Sequence, residues 1–252
     1  MLTTQHSQVA ELKQKLADAY ATIRSQSPWS HPRSPELPHH RVLPYATYSP
    51  WLHDVDFQLV YERIKCHTLV DIYRCYELWS IGLQMNMIPG NFLEVGVWRG
   101  GTGALLASSV QGNPSKHVYL ADTFTGVVKA GADDTAYVGG EHADTSPKIV
   151  SDLLHTLGLS NFSLLQGIFP EQTAERFHGQ LALLHCDVDV YSSAKDVVLW
   201  GIPLLSHGGA IVFDDYGFSG CEGVTRLVEE LRKDPRFLFI HNLNGHAILI
   251  KK

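Results

Sequence analysis

The sequence has no apolar run approaching the ~20 residues that a membrane-spanning helix needs. Its first residues, MLTTQHSQ, also lack the basic and then apolar pattern of a signal peptide. Basic side chains are outnumbered, with 20 Lys and Arg against 26 Asp and Glu, and the net charge is −6. That balance argues against a nucleic-acid or anionic-membrane partner. We therefore expect a cytoplasmic protein that binds neither nucleic acid nor a membrane.

Cysteine is scarce as well. The four cysteines form no CxxC pair and have no zinc-type spacing, so we expect reduced thiols at Cys66, Cys75, Cys186 and Cys221. With 252 residues, 44% of them hydrophobic, the chain can bury a full core. These properties predict one α/β domain with appendages.

Four carboxylates follow two short apolar runs in the segment 181–221. LALLHC is followed by Asp187 and Asp189, and AIVF is followed directly by Asp214 and Asp215. A helix-sized segment separates the runs, which predicts a right-handed strand-helix-strand unit with parallel strands. The carboxyl ends of such strands meet at one edge of the sheet, where open α/β sheets bind ligands. A hard divalent cation explains this gathering of acids.

A glycine-rich turn lies upstream, in NFLEVGVWRGGTGALLASSV. Gly96 permits a sharp turn after a strand, and Gly100 permits close approach of the backbone to a ligand. The pattern is not GxGxxG, and the preceding acid, Glu94, favours a ligand with a cationic amine over a bare pyrophosphate. The next strand, HVYLADTF, ends on Asp122, where an acid accepts hydrogen bonds from both ribose hydroxyls of an adenosine.

The N-terminal segment, residues 1–55, differs in pattern from residues 56–252. Apolar residues at helical spacing predict an amphipathic helix between about Ser7 and Ser25. The Pro, His and Ser content between Pro28 and Pro50 predicts an irregular arm or lid. The helix has two interpretations, packing back on its own domain or packing against another subunit. We expect a homo-oligomer joined through this helical arm.

The rest of the chain predicts alternating helices and strands. Apolar spacings of three and four predict a mostly helical segment over 56–87. The long polar segment 125–147 predicts a lid or substrate loop, and Pro170-Glu171 predicts the start of a helix. An amphipathic helix is predicted over 221–234, and the tail, 236–252, predicts an antiparallel pair of strands around an Asn-Gly turn.

Four motifs in this order carry a resemblance: VGVWRGG, ADTF, the DxD of Asp187 and Asp189, and the FDDY of Asp214 to Tyr216. From about Thr68 to its end, the sequence resembles the macrocin O-methyltransferase (TylF-like) family of class I, S-adenosylmethionine- and Mg²⁺-dependent sugar O-methyltransferases. The resemblance implies a doubly wound, mostly parallel seven-stranded Rossmann-like sheet with a C-terminal antiparallel hairpin.

The resemblance also implies a set of site residues. Asp187, Asp214 and Asp215 would ligate Mg²⁺, and Asp189 would be the general base. Residues alone do not separate the roles of Asp187 and Asp189, since side chains two apart on a strand point the same way. The donor, S-adenosylmethionine, would be bound by Thr68, Glu94, Gly96, Gly100 and Asp122.

The implied acceptor is a sugar hydroxyl on a natural product of the antibiotic type. We expect Tyr191, Tyr216 and His142 to line its site, and His185 to be a core histidine. A catechol or phenol acceptor is the nearest alternative, since a metal-bound vicinal diol serves aromatics too. A nucleotide-dependent oxidoreductase and a non-catalytic module are the more distant alternatives, and the four strand-end acids argue against both.

Overall fold

A computed structural model of the chain describes residues 2–25, 29–31, 34–39, 48–132 and 134–252. The chain divides into two compact units, residues 1–48 and 49–252. The first contains a long helix, α1 (Leu2–Ser25), and an antiparallel pair of strands, β1 (Trp29–His31) and β2 (Ser34–His39). The predicted N-terminal helix is thus present. The predicted irregular arm contains a short hairpin, and residues 40–47 of the arm lie outside the described residues.

The second unit is built on a seven-stranded sheet of order β5-β4-β3-β6-β7-β9-β8. β3, β4, β5, β6 and β7 are parallel, whereas β9 runs antiparallel to both β7 and β8. This topology confirms the predicted mostly parallel sheet with its C-terminal antiparallel hairpin. The strands are β3 (Asn91–Val95), β4 (Val118–Asp122), β5 (Phe162–Gln166), β6 (Leu181–Cys186), β7 (Leu205–Phe213), β8 (Phe237–His241) and β9 (Ala247–Lys251).

Helices cover both faces of this sheet, because successive residues of each central strand point to opposite faces. On β3, Phe92 belongs to the core beneath α2 to α5, and Leu93 to the core beneath α6 and α7. Both side chains are fully buried, as a doubly wound sheet requires. The helices are α2 (Val55–Ile64), α3 (Ile72–Met85), α4 (Gly101–Ser109), α5 (Pro147–Thr156), α6 (Tyr191–Gly201) and α7 (Glu222–Leu231).

The segment predicted as mostly helical over 56–87 is broken between α2 and α3. Asp71 causes a new start, because its side chain accepts hydrogen bonds from the backbone amides of Tyr73 and Arg74. The break, residues 65–71, runs past the glycine turn, where His67 O accepts from Gly101 N at 2.9 Å. Apolar periodicity does not reveal this break between the two helices. The break places a loop beside the predicted ligand site.

The prediction of a helix starting at Pro170 is wrong. The segment contains one short 3₁₀ turn, Ala174–Arg176. The chain turns here so that the rings of Phe169 and Phe177 both pack edge-on against Trp200 in the core. Because both aromatic rings are held against Trp200, the segment between them forms turns and not a regular helix.

Residues 49–55, assigned by pattern to the N-terminal arm, pack with the second unit, since Trp51 contacts the rings of Tyr73 and Tyr76. All four cysteines are free, as predicted. Within the described ranges, no helix is both long and apolar enough to cross a membrane.

Candidate active site

A cavity of about 330 Å³ opens at the carboxyl ends of the parallel strands. The structure brings seven of the nine predicted site residues to its wall: Thr68, Gly96, Asp122, Asp187, Asp189, Asp214 and Asp215. Glu94 and Gly100 do not line it. The glycine turn and the strand-end acids, which are far apart in sequence, therefore share one cavity.

Gly96 stands where the ends of β3 and β6 approach each other. Its φ of 91° lies in the left-handed region, and a Cβ at this position would lie 1.6 Å from the carbonyl oxygen of Asp187. Only glycine fits both demands. The close approach fixes Asp187 beside the glycine turn, and Asp187 N donates to Val95 O at 2.9 Å.

The substitution Gly96→Ala is expected to lower the free energy of unfolding by at least about 1–3 kcal/mol, because it adds backbone strain to a clash with main-chain atoms. Urea unfolding measures this loss. Gly112→Ala is the matched control, since a Cβ at Gly112 meets nothing within 4 Å. Equal stability of the two variants would contradict the close approach at Gly96.

Asp122 holds the glycine turn through its carboxylate. One oxygen accepts from the amides of Val97 and Trp98, both at 2.8 Å, and the other accepts from Phe124 N at 2.6 Å. These contacts position the turn, a role that sequence reasoning did not assign. A carboxylate has about four acceptor sites, so acceptor capacity remains on the side that faces the cavity.

Glu94 lies behind the cavity wall and is fully buried. Its Oε1 lies 2.8 Å from His185 Nδ1, and its Oε2 lies against the Cα of Gly103 at the start of α4. This placement differs from the predicted contact with a ligand amine. The reason is the strand alternation, which points Glu94 at the α3 and α4 side.

Gly100 and Thr68 flank the start of α4. Gly100 has a φ of 88°, and a Cβ there would lie 2.9 Å from Val150 of α5, so glycine is needed for packing at this position. Thr68 faces the cavity from the break between α2 and α3, and its Oγ1 accepts from Val70 N at 3.0 Å.

Asp187, Asp214 and Asp215 each offer an oxygen, and these atoms lie within 4.8 Å of one another. Burial, together with the neighbouring carboxylates, raises the pKa of Asp187 and of Asp215 well above the usual range. Burial opposes ionisation of Asp214 too, but His246 and Arg74 outweigh it and hold the pKa of Asp214 below its usual range. Three convergent carboxylates suit a hard, oxygen-binding cation such as Mg²⁺.

Arg74 is a site residue that sequence reasoning missed. Its buried guanidinium contacts Asp214 Oδ1 at 2.5 Å and Asp215 Oδ1 at 3.1 Å, and its Nε donates to Asp71 at 2.9 Å. It also lies over the ring of Phe218. An arginine in an amphipathic helix carries no sequence signal of such a role, because Asp214 and Asp215 are 140 and 141 residues away.

Asp189 and Tyr137 form a hydrogen-bonded pair in the cavity wall. Tyr137 donates its hydroxyl hydrogen to Asp189 Oδ1 at 2.7 Å. Burial raises the pKa of Asp189, and the hydrogen bond from Tyr137 offsets part of that rise. Asp189 has a φ of 63°, unusual for a residue other than glycine. A carboxylate so held is suited to accept a proton.

Of the residues predicted to line an acceptor site, His142 does so. Tyr191 and Tyr216 do not line the cavity, because their hydroxyls point to α7, at Glu230 and Glu229. The loop 125–147 supplies Tyr137 and His142, and Lys129 ties it down through ion pairs with Glu171 and Asp196.

A doubly wound sheet with a terminal antiparallel hairpin, with a glycine turn and strand-end acids at one cavity, defines a class I methyltransferase fold. The family model for macrocin O-methyltransferase (TylF) matches residues 66–238, more than half of the chain. The chain therefore belongs to the TylF macrocin O-methyltransferase family, as its motifs predicted.

Individual proteins agree with this assignment. An enzyme of Streptomyces olivaceus, 8-demethyl-8-(2,3-dimethoxy-alpha-L-rhamnosyl)-tetracenomycin-C 4'-O-methyltransferase, is 29% identical over 169 residues, 62% of this chain and 64% of that one. The mycinamicin III 3''-O-methyltransferase of Micromonospora griseorubida is 33% identical over 173 residues, 62% of this chain and 67% of that one. The chain thus spans about two thirds of the length of these relatives.

Among solved structures, the O-methyltransferase NovP superposes with a TM-score of 0.66 at 24% identity, over 74% of this chain and 82% of that chain. At this identity the superposition establishes the shared fold.

Proposed function

We propose that the protein transfers the methyl group of S-adenosylmethionine to a hydroxyl of a sugar on a natural product. One observation supports this most. The glycine turn at Gly96, Asp189 and the three clustered acids all line the same cavity. The name of one relative, which specifies O-methylation of a rhamnosyl-bearing tetracenomycin, favours the same class of acceptor. Membership of a methyltransferase family leaves the oxidoreductase and non-catalytic alternatives without support.

In the proposed site, Thr68, Gly96 and Asp122 hold the donor. The donor supplies an electrophilic methyl group, and its leaving group, S-adenosylhomocysteine, is a neutral thioether. Gly100 acts indirectly, by shaping the turn. Glu94 packs behind the turn, with Oε2 against Gly103 and Oε1 paired with His185, instead of contacting the donor amine.

On the acceptor side, Asp187, Asp214 and Asp215 hold Mg²⁺, which supplies Lewis acidity that lowers the pKa of an alcohol. Asp189 takes the proton from the attacking hydroxyl, and Tyr137 orients Asp189 for that transfer. The fixed carboxylate avoids the reorganisation that a mobile base would need at the moment of reaction.

The proposal extends to the partners and to the assembly. The acceptor is a glycosylated small molecule, the protein acts in the cytoplasm, and it forms a homo-oligomer through α1. Leu12 and Leu16 of α1 are exposed, which supports a role for this helix in association. Sedimentation velocity of the full chain tests the oligomer, and a monomer at micromolar concentration would contradict it.

The function is tested with methyl-labelled S-adenosylmethionine, Mg²⁺ and three sets of acceptors: glycosylated natural products, the same compounds without sugar, and simple catechols. Label is expected on the glycosylated set alone. Label on catechols alone would replace the proposal with the phenolic alternative. Absence of transfer, together with absence of S-adenosylhomocysteine binding by calorimetry, would contradict the methyltransferase proposal itself.

The Tyr137→Phe variant is expected to lower kcat by about 10–100-fold, since a hydrogen bond to a charged group is worth about 1.5–3 kcal/mol. The KM for the acceptor should change little, because Tyr137 acts through Asp189 and not on the substrate. Steady-state kinetics separate the two constants. Tyr191→Phe, which removes a hydroxyl outside the cavity, is the matched control. A rise in KM alone would contradict the positioning role.

A further inference from the structure

Two histidines lie fully buried behind the acidic cluster, on the side of the sheet covered by α3. His185 is on β6, and His246 directly precedes β9. Each pairs through Nδ1 with a carboxylate, His185 with Glu94 Oε1 at 2.8 Å and His246 with Glu77 Oε2 at 2.6 Å. Histidines that bind metals usually donate their other ring N–H to such a carboxylate, which fixes the tautomer and the ring orientation.

In a neutral imidazole whose proton is on Nδ1, the lone pair available to a metal is on Nε2. Both Nε2 atoms are buried, and neither has a hydrogen-bond partner among the described residues. One ring nitrogen of each histidine and an oxygen of Asp214 lie within 4.8 Å of one another. Buried polar atoms without a partner are uncommon in native proteins and indicate an ion or a water molecule between them.

We propose that His185, His246 and Asp214 form a second cation site, which takes a transition metal ion of the Zn²⁺ type. The site is distinct from the all-carboxylate Mg²⁺ site and shares Asp214 with it. Imidazole nitrogens favour Zn²⁺, Co²⁺ and Ni²⁺, whereas carboxylates alone favour Mg²⁺. The two sites therefore differ in the metal that each selects.

The spacing fits this proposal. Two ligand atoms about 2.0–2.1 Å from a tetrahedral zinc ion lie about 3.3 Å apart. His246 Nε2 lies 3.1 Å from Asp214 Oδ1, although the two are not aligned as donor and acceptor. A protonated His246 paired with Asp214 would account for one of the two nitrogens. It would leave His185 Nε2 unexplained, whereas a shared ion accounts for both.

The charge of the region favours a cation as well. Five acidic side chains lie in this region, two of them paired with the histidines and three in the acidic cluster, and the guanidinium of Arg74 contacts two of the five. Buried carboxylates are costly unless they are paired or bind a metal. These acids are Glu77, Glu94, Asp187, Asp214 and Asp215.

A metal at this position would join β6, β7 and the start of β9. It would also fix the Asp214 carboxylate from behind, so that occupancy of one site changes the affinity of the other. The role is positional, because neither histidine lines the cavity.

The test uses Co²⁺ added to the full chain after treatment with a chelator, with visible absorption as the readout. One equivalent is expected to give the intense bands of four- or five-coordinate Co²⁺, and Zn²⁺ should displace it. X-ray absorption of the zinc-loaded protein should show two imidazole ligands. If the wild type shows no more than the weak spectrum of six-coordinate Co²⁺, the proposal is overturned, whatever the variants show.

Variants separate the two sites. His246→Gln is expected to lose the intense bands while Mn²⁺, followed by electron paramagnetic resonance, still binds at the carboxylates. Asp215→Asn should weaken Mn²⁺ binding and keep the Co²⁺ bands. His207→Gln, at an exposed histidine of β7, is the matched control. Co²⁺ bands that survive His246→Gln would overturn the assignment, and neither readout depends on methyl transfer.

Discussion

Replacing Asp189 with asparagine is expected to lower kcat by about 10²–10⁴-fold, the usual contribution of a general base. Asparagine is nearly isosteric and tolerates the left-handed backbone that Asp189 adopts. Its side-chain oxygen also still accepts the hydrogen bond from Tyr137. The substitution therefore removes the proton acceptor and leaves the shape of the cavity. Steady-state kinetics with the labelled donor measure the loss.

S-Adenosylhomocysteine binding, measured by calorimetry, should be the same for Asp189→Asn and the wild type, because the substitution does not touch the glycine turn. Asp152→Asn, at an exposed acid of α5, is the matched control and should retain full activity. An Asp189→Asn variant with near wild-type kcat would assign the proton transfer elsewhere, to solvent or to another carboxylate of the cluster.

Removal of divalent cations is expected to lower the rate by about 10²–10⁴-fold, since the metal's stabilisation of developing charge is worth several kcal/mol. Mg²⁺ alone should restore the rate after chelation. In the double variant Asp187→Asn/Asp215→Asn, Mg²⁺ at concentrations that saturate the wild type should not restore the rate. The physical reason is the loss of two of the three charged oxygen ligands.

Mn²⁺ binding followed by electron paramagnetic resonance supplies the second readout for this pair of substitutions. The variant should bind S-adenosylhomocysteine normally, which separates loss of the cation from loss of the fold. Full activity of the wild type in excess chelator would contradict a metal-dependent reaction and leave Asp189 as the main contributor.

Several features of the molecule followed from the sequence alone. Apolar runs with acids at their ends predicted β6, β7 and the edge where Asp187, Asp189, Asp214 and Asp215 meet, because parallel strands place their carboxyl ends together. The Asn-Gly signal predicted the antiparallel hairpin of β8 and β9. These inferences depend on local patterns and on a topological rule, and both are properties that a sequence displays.

Other features were decided by the tertiary structure. Glu94 was expected at the ligand but points to the α3 and α4 side of the sheet, because side chains alternate along β3, and the register of β3 against β6 places it beside His185. The Asp122 carboxylate accepts three hydrogen bonds from backbone amides in and near the glycine turn. Neither partner choice is visible in the sequence, because it depends on which backbone amides and side chains the fold brings within hydrogen-bond distance.

The residues around Asp214 show the same division most clearly. The sequence determined that an acid would follow β7, and the fold determined that Arg74 from α3 and His246 from the turn before β9 would contact it. These partners are 140 and 32 residues away along the chain. Burial of charge in a low-dielectric interior makes such contacts strong. Only packing of the helix and the hairpin against the sheet brings these side chains to Asp214.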